Sequence, residues 1–125
     1  MTSSPACSAP PLEPDEILCG LRVQAPRRMA YRKFEQAASR FALVGVAIAE
    51  LADGGVRVAL TGTAQGAVRL PDFEQALSRR FAPESLQGLK VNAALMSSDV
   101  HAPADYRAHL AAVLAQRLVQ EILGD

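Results

Sequence analysis

One stretch of the sequence concentrates side chains suited to gripping phosphates and stacking on flat rings. Between positions 26 and 40 stand Arg27, Arg28, Arg32, Lys33 and Arg40 against the single acid Glu35, interleaved with Met29, Tyr31 and Phe34. Guanidinium and ammonium groups hold phosphate oxygens, and an aromatic ring between them offers its face to a planar ligand. Single-stranded nucleic acid and dinucleotide cofactors both use that chemistry. A solvated loop at a sheet edge would have the same composition, and composition alone does not choose between the two.

Other candidates are weaker. Neither GxGxxG nor GxxxxGK[ST] occurs, and the Gly-Thr-Ala-Gln-Gly run at 62–66 lacks the lysine and the following helix start of a phosphate cradle, so it reads as a loop. His101 and His109 are too far apart for adjacent helical turns, and no Cys or carboxylate completes a metal set at a recognised spacing. Ser98 or Asp99 is placed to cap the last helix, with His101 bonding locally. The cysteines Cys7 and Cys19 have no ligand or base neighbours, which speaks against a disulfide framework, a zinc site or an activated thiol, and suits a reducing compartment.

The elements that must position these residues follow from periodicity. Residues 1–14 hold Pro5, Pro10, Pro11 and Pro14 among small residues and read as tail or linker, which leaves residues 15–125 as the domain. Residues 16–23 read as a strand, with Ile17, Leu18, Leu21 and Val23 for burial and Pro26 ending it. An apolar run at 41–51, then Ala-Asp-Gly-Gly, then alternating Val56, Val58 and Leu60 predict a β-hairpin, because glycine accepts the positive φ of tight turns. Residues 67–70 add a short extended piece at most.

From Pro71 the period changes. Proline suits a first helical turn, Asp72 and Glu74 favour a helix N-terminus, and Phe73, Ala76, Leu77 and Phe81 share a face, predicting a helix of about ten residues closed by Pro83. Residues 84–96 predict a second, weaker helix interrupted by Gly88. The last is the clearest: Tyr106, Leu110, Val113, Leu114, Arg117, Leu118 and Ile122 recur at helical spacing, with Tyr106 read as core. Strands first and helices after predict an α+β fold, helices against an antiparallel sheet.

With 125 residues, half of them hydrophobic, the chain suffices for one core, and its zero net charge gives no global field for nucleic acid or a membrane surface. The apolar run at 41–49 is too short to span a bilayer, and the first residues lack the pattern of a secretory signal. The expectation is a soluble cytoplasmic protein.

Three stretches together carry a family resemblance. They are Tyr31-Arg32-Lys33-Phe34 followed by Ala38-Ser39-Arg40-Phe41-Ala42-Leu43-Val44-Gly45-Val46-Ala47; Gly55-Val56-Arg57-Val58-Ala59-Leu60 leading to a glycine; and Ser98-Asp99-Val100-His101-Ala102 with Tyr106-Arg107-Ala108-His109-Leu110. In that order and spacing the chain resembles, from about Leu12 onward, the C-terminal domain of the flavoprotein (medium) subunit of carbon monoxide dehydrogenase and its xanthine dehydrogenase relatives. The resemblance implies a three-stranded antiparallel sheet packed against a bundle of about three helices. It implies FAD in the parent subunit, held mainly by two preceding domains that this sequence does not include, and none bound by this chain alone.

The resemblance further implies Tyr31 as the flavin-facing residue, with Arg32 and Lys33 as polar or phosphate neighbours, and structural roles for His101, Tyr106 and Arg107. It implies flavoprotein, iron-sulfur and molybdenum subunits of a hydroxylase complex as partners, an oxidoreductase as the parent, and no catalysis by the domain itself. An apolar face bared by the missing domains would favour a homodimer. Two alternatives stand beside this reading: one part of a split FAD flavoprotein that takes part in electron transfer from an iron-sulfur subunit to an acceptor, and an independent domain that binds a nucleotide or RNA through the 27–40 segment.

Overall fold

The computed structural model describes residues 12–35, 37, 42–97 and 103–124. Four strands form an antiparallel meander in sequence order: β1 (Arg28–Glu35), β2 (Ala42–Glu50), β3 (Val56–Thr63) and β4 (Gly66–Arg69). Two α-helices follow, α1 (Pro71–Arg79) and α2 (Ala104–Gly124), separated by two single 3-10 turns at Pro83–Leu86 and Ala93–Leu95. The α+β class and the antiparallel sheet agree with the sequence reading; four strands replace three, and two α-helices replace about three.

The β2–β3 hairpin forms where the Asp-Gly-Gly signal places it. Gly54 takes φ +90, Asp53 Oδ1 accepts the Gly55 amide at 2.8 Å, and the Leu51 amide donates to the Gly55 carbonyl at 2.7 Å. Successive side chains of a strand point to opposite faces, so the register assigns each residue a side. Val46 pairs with Leu60 and Ile48 with Val58, and these four, with Val44 and Val56, are almost wholly buried. Phe73 and Leu77 of α1 and Ala111, Leu118 and Val119 of α2 join them in one cluster. Both helices therefore cover the same sheet face, α2 across β2 and β1, and α1 against β3.

Helix α1 begins at Pro71, whose missing amide is one the first turn leaves unbonded anyway. Its Glu74 replaces a strand partner. β4 ends at Arg69, and beyond that point the Val58 amide of β3 donates to Glu74 Oε2 at 3.1 Å. The same carboxylate accepts a fork from Arg69, Nε at 2.9 Å and Nη2 at 2.7 Å.

The sequence expectations need correction at two segments. Residues 16–23 form no strand; the first strand is β1, inside the basic segment, and Cys19 is exposed outside any ladder. Residues 84–96 are not a helix: Gly88 takes φ +81, the Asn92 side chain accepts the Ala94 amide, and Met96 bridges Thr63 of β3. The backbone there closes only single 3-10 turns, and the Leu95 carbonyl accepts the Ala64 amide at the sheet end at 3.1 Å.

In α2 the inward stripe is Arg107, Ala108, Ala111, Leu114, Ala115, Leu118, Val119 and Ile122. Tyr106 is 44% exposed and Arg117 is exposed. Three of these eight positions are alanines, set among Leu114, Leu118, Val119 and Ile122, which lets the helix lie close to the sheet. The reading of residues 1–14 as tail falls, for 1–11, outside the described residues, as do Ser98, Asp99 and His101.

Candidate functional site

Alternation along β1 divides the Tyr31-Arg32-Lys33 triplet. Arg32 pairs with Val46, whose side chain is in the core, so Arg32 stands on the helix face, where its guanidinium bonds Glu121 of α2. Tyr31 pairs with Ala47 and Lys33 with Gly45, placing both on the opposite face, which neither helix covers. The structure thus brings Tyr31 and Lys33 together and sends Arg32 away from them.

On that outer face Tyr31 lies over a floor of small residues. A Cβ built on Gly45 would meet the Tyr31 hydroxyl oxygen at 2.6 Å and Thr61 Oγ1 at 2.7 Å, so the ring occupies the volume that any other residue at 45 would fill. Ala47, Ala49 and Ala59 extend the floor, half-buried for want of any cover. Tyr31 remains 53% exposed and Met29 60%. An aromatic ring on a flat bed of glycine and alanine offers a planar ligand both stacking area and room to approach.

The cations of the segment are largely engaged. Arg28 donates from Nε to Glu50 Oε1 at 2.8 Å, and its guanidinium lies 5.0 Å from the centre of the Phe81 ring. Lys33 Nζ is 4.0 Å from Glu35, and Arg32 is paired with Glu121. Arg40 lies outside the described residues. A groove for a nucleic-acid backbone needs cations facing one way; here β1 sends Arg28 and Arg32 to one face and Lys33 to the other, each beside a carboxylate.

As a fit for FAD, the outer face suits contact with the ring system through Tyr31, with Lys33 beside it. It does not suit the pyrophosphate: the 62–66 run is the end of β3 and its turn into β4, with no helix N-terminus behind it. Among the described residues, no group of His, Cys, Asp and Glu could hold a metal ion, and no helix is long and apolar enough to cross a membrane.

Sequence reasoning missed Gly45 and Thr61 as the support of Tyr31. The signal was a glycine inside an otherwise apolar strand, which marks a close approach by something else. It also left Glu74 as a helix-start acid and no more. The structural reading of Arg107 holds: the residue is 5% exposed and its Nη1 donates to the Leu43 carbonyl at 2.7 Å, tying α2 to the end of β2. His109 is exposed.

The family described as the CO dehydrogenase flavoprotein C-terminal domain matches residues 29–122. Among solved structures, a cyanide-inactivated Cu,Mo-CO dehydrogenase is similar at 22% identity and TM-score 0.60, over 76% of this chain and 36% of that one. The CO dehydrogenase of Hydrogenophaga pseudoflava lacking the Mo-pyranopterin moiety gives 22% and 0.58, over 78% and 37%. Quinoline 2-oxidoreductase from Pseudomonas putida 86 gives 20% and 0.53, over 76% and 36%. At these identities the likeness is one of fold, and the chain spans little more than a third of the length of those chains. No curated protein sequence matches it.

Proposed function

Since the chain belongs to the CO dehydrogenase flavoprotein C-terminal domain family, we propose that it is the module that closes the flavin side of a molybdenum hydroxylase flavoprotein. Its outer sheet face meets the flavin ring, and it has no catalysis of its own. The observation that carries this reading is the half-exposed Tyr31 held over Gly45 on an otherwise bare face. FAD is held by the flavin-carrying portion, where it supplies electron transfer to an acceptor; iron-sulfur and molybdenum subunits complete the assembly. Of the three triplet residues, Tyr31 stacks and Lys33 contributes a charge at the edge of the ring. Arg32, turned to α2 and bound to Glu121, holds helix to sheet and has no part in the contact.

The test uses Gly45→Ala beside Tyr31→Ala. An added methyl must displace both the Tyr31 hydroxyl and Thr61 Oγ1; the half-exposed ring swings outward and the Thr61 hydroxyl turns about its Cα–Cβ bond. Tagged chain isolated from its own host is expected to retain a flavoprotein with iron and molybdenum subunits. Both variants should retain the same partners while altering the flavin fluorescence of the captured complex. Failure to capture any flavoprotein overturns the reading.

Titration of the purified chain with FAD is expected to give no saturable quenching. Saturable binding that Tyr31→Ala weakens would instead support the split-flavoprotein alternative, in which this chain itself helps to hold FAD.

A further inference from the structure

Residues 16–23 carry aliphatic side chains that nothing among the described residues covers: Ile17 is 83% exposed, Leu18 57%, Leu21 83% and Val23 79%. In an extended chain Ile17, Cys19, Leu21 and Val23 fall on one side, and Glu16, Gly20 and Arg22 fall with Leu18 on the other. That is the pattern of a half-buried strand, present in a segment that has no ladder.

The same molecule offers an unfilled ladder. β1 is the edge of the sheet, eight residues long, and among the described residues it has no neighbour on its outer side. Beside it, between β1 and the end of α2, lies a groove of about 270 Å³ lined by Arg28, Met29, Ala30, Glu121 and Ile122. We propose that residues 16–23 of one copy add antiparallel to the free edge of β1 in a second copy, reciprocally, so that two copies exchange arms about a two-fold axis.

One register satisfies the side chains together. With Leu21 opposite Ala30, Val23 falls opposite Arg28, and both aliphatics enter the groove. Ile17 then meets Phe34, which is itself 38% exposed. On the other face Gly20 falls opposite Tyr31, leaving room for the ring. Glu16 comes opposite Glu35, with Lys33 diagonal to it.

Closure on the same chain is not what the structure shows: residues 16–23 stand outside any ladder with their aliphatics exposed, although only residues 24–27 separate them from β1. The Arg27 amide is bonded to the Glu50 carbonyl at 2.7 Å, continuing the β1–β2 ladder, and the arm leaves its own sheet to reach another.

This inference is independent of the flavin contact, and its test needs only the purified chain. In the proposed register Cys19 faces position 32 across the ladder, within disulfide reach. Cys7→Ser with Arg32→Cys, mildly oxidised, is expected to give a covalent dimer whose peptide map joins Cys19 to the introduced thiol. An internal link within one chain, or no link, overturns the proposal. By light scattering the wild-type chain is expected to be a dimer, and Leu21→Asp should weaken association by about tenfold or more with an unchanged circular dichroism spectrum, since Leu21 packs on nothing in the monomer. A strict monomer, or a dimer indifferent to Leu21→Asp, also overturns it, and the latter would place the dimer contact on another face.

Discussion

Glu74 should stabilise the domain mainly through the backbone amide it accepts, and only secondarily through its ion pair. The Glu74 side chain is 12% exposed, whereas the Arg69 side chain is 54% exposed. Glu74→Ala leaves the amide of fully buried Val58 without an acceptor, at a cost of about 1–3 kcal/mol. Loss of the solvent-screened pair with Arg69 adds about 0–1 kcal/mol. Glu74→Gln keeps a side-chain oxygen for Val58 and should cost about 1 kcal/mol or less.

The two variants are therefore expected to differ clearly in urea unfolding followed by circular dichroism, and in melting temperature by roughly 4–8 °C for each kcal/mol. The acid side gives a second readout. Burial pushes the Glu74 carboxyl up, but the Arg69 fork, the Val58 amide and the charges of Arg69 and Arg57 outweigh it and hold the group below its ordinary value of 4.5. A carboxyl depressed in the folded state stabilises fully above its unfolded pKa and loses that contribution as the pH falls through the folded value. The gap between wild type and Glu74→Gln should then be constant from neutral pH to about pH 5 and shrink on further acidification. Equal losses for Ala and Gln, or a gap that widens in acid, would refute the backbone-partner account.

Two further predictions concern the end of the sheet where β2, β3 and α2 meet. Gly62 has φ +89, and a Cβ there would lie 2.4 Å from the Leu43 carbonyl oxygen, so Gly62→Ala is expected to destabilise by about 3 kcal/mol or more, read as loss of soluble folded protein or a collapsed melting temperature. Arg107→Met keeps the length of the stem but removes the donor to that same carbonyl. It should cost about 1–3 kcal/mol in denaturant unfolding, and an unchanged midpoint would mean the bond to Leu43 contributes nothing net.

How far the fold was legible depended on whether the signal was local. The Asp-Gly-Gly hairpin and Pro71 at a helix start are decided within a few residues, and both were read correctly. β1 was not, because its apolar and charged residues alternate only loosely and half of its inward positions are arginines that reach Glu50 and Glu121 elsewhere in the chain. Residues 16–23 gave a strand signal that the sheet of the same chain does not use.

The rotation of α2 escaped because periodicity weighs large side chains, and the buried stripe includes Ala108, Ala111 and Ala115 beside a buried arginine. At the candidate site the sequence reading grouped Tyr31, Arg32 and Lys33 together. The separation of Arg32 from the other two follows from the two-residue period, which became readable only once the segment was known to be a strand.

The two ends of the sheet are unequal, and the inequality bears on solubility. β1 offers eight residues of open backbone, whereas β4 is four residues long and runs directly into α1, whose Glu74 takes the β3 amide just past the end of β4. Sheets that grow into fibres need a receptive border on both sides, so that each added molecule leaves a fresh one behind. Here an addition at β1 exposes only a short, arginine-bearing border opposite it. The sheet can accept one neighbour and then stops, which guards against runaway stacking even though its β1 border is open.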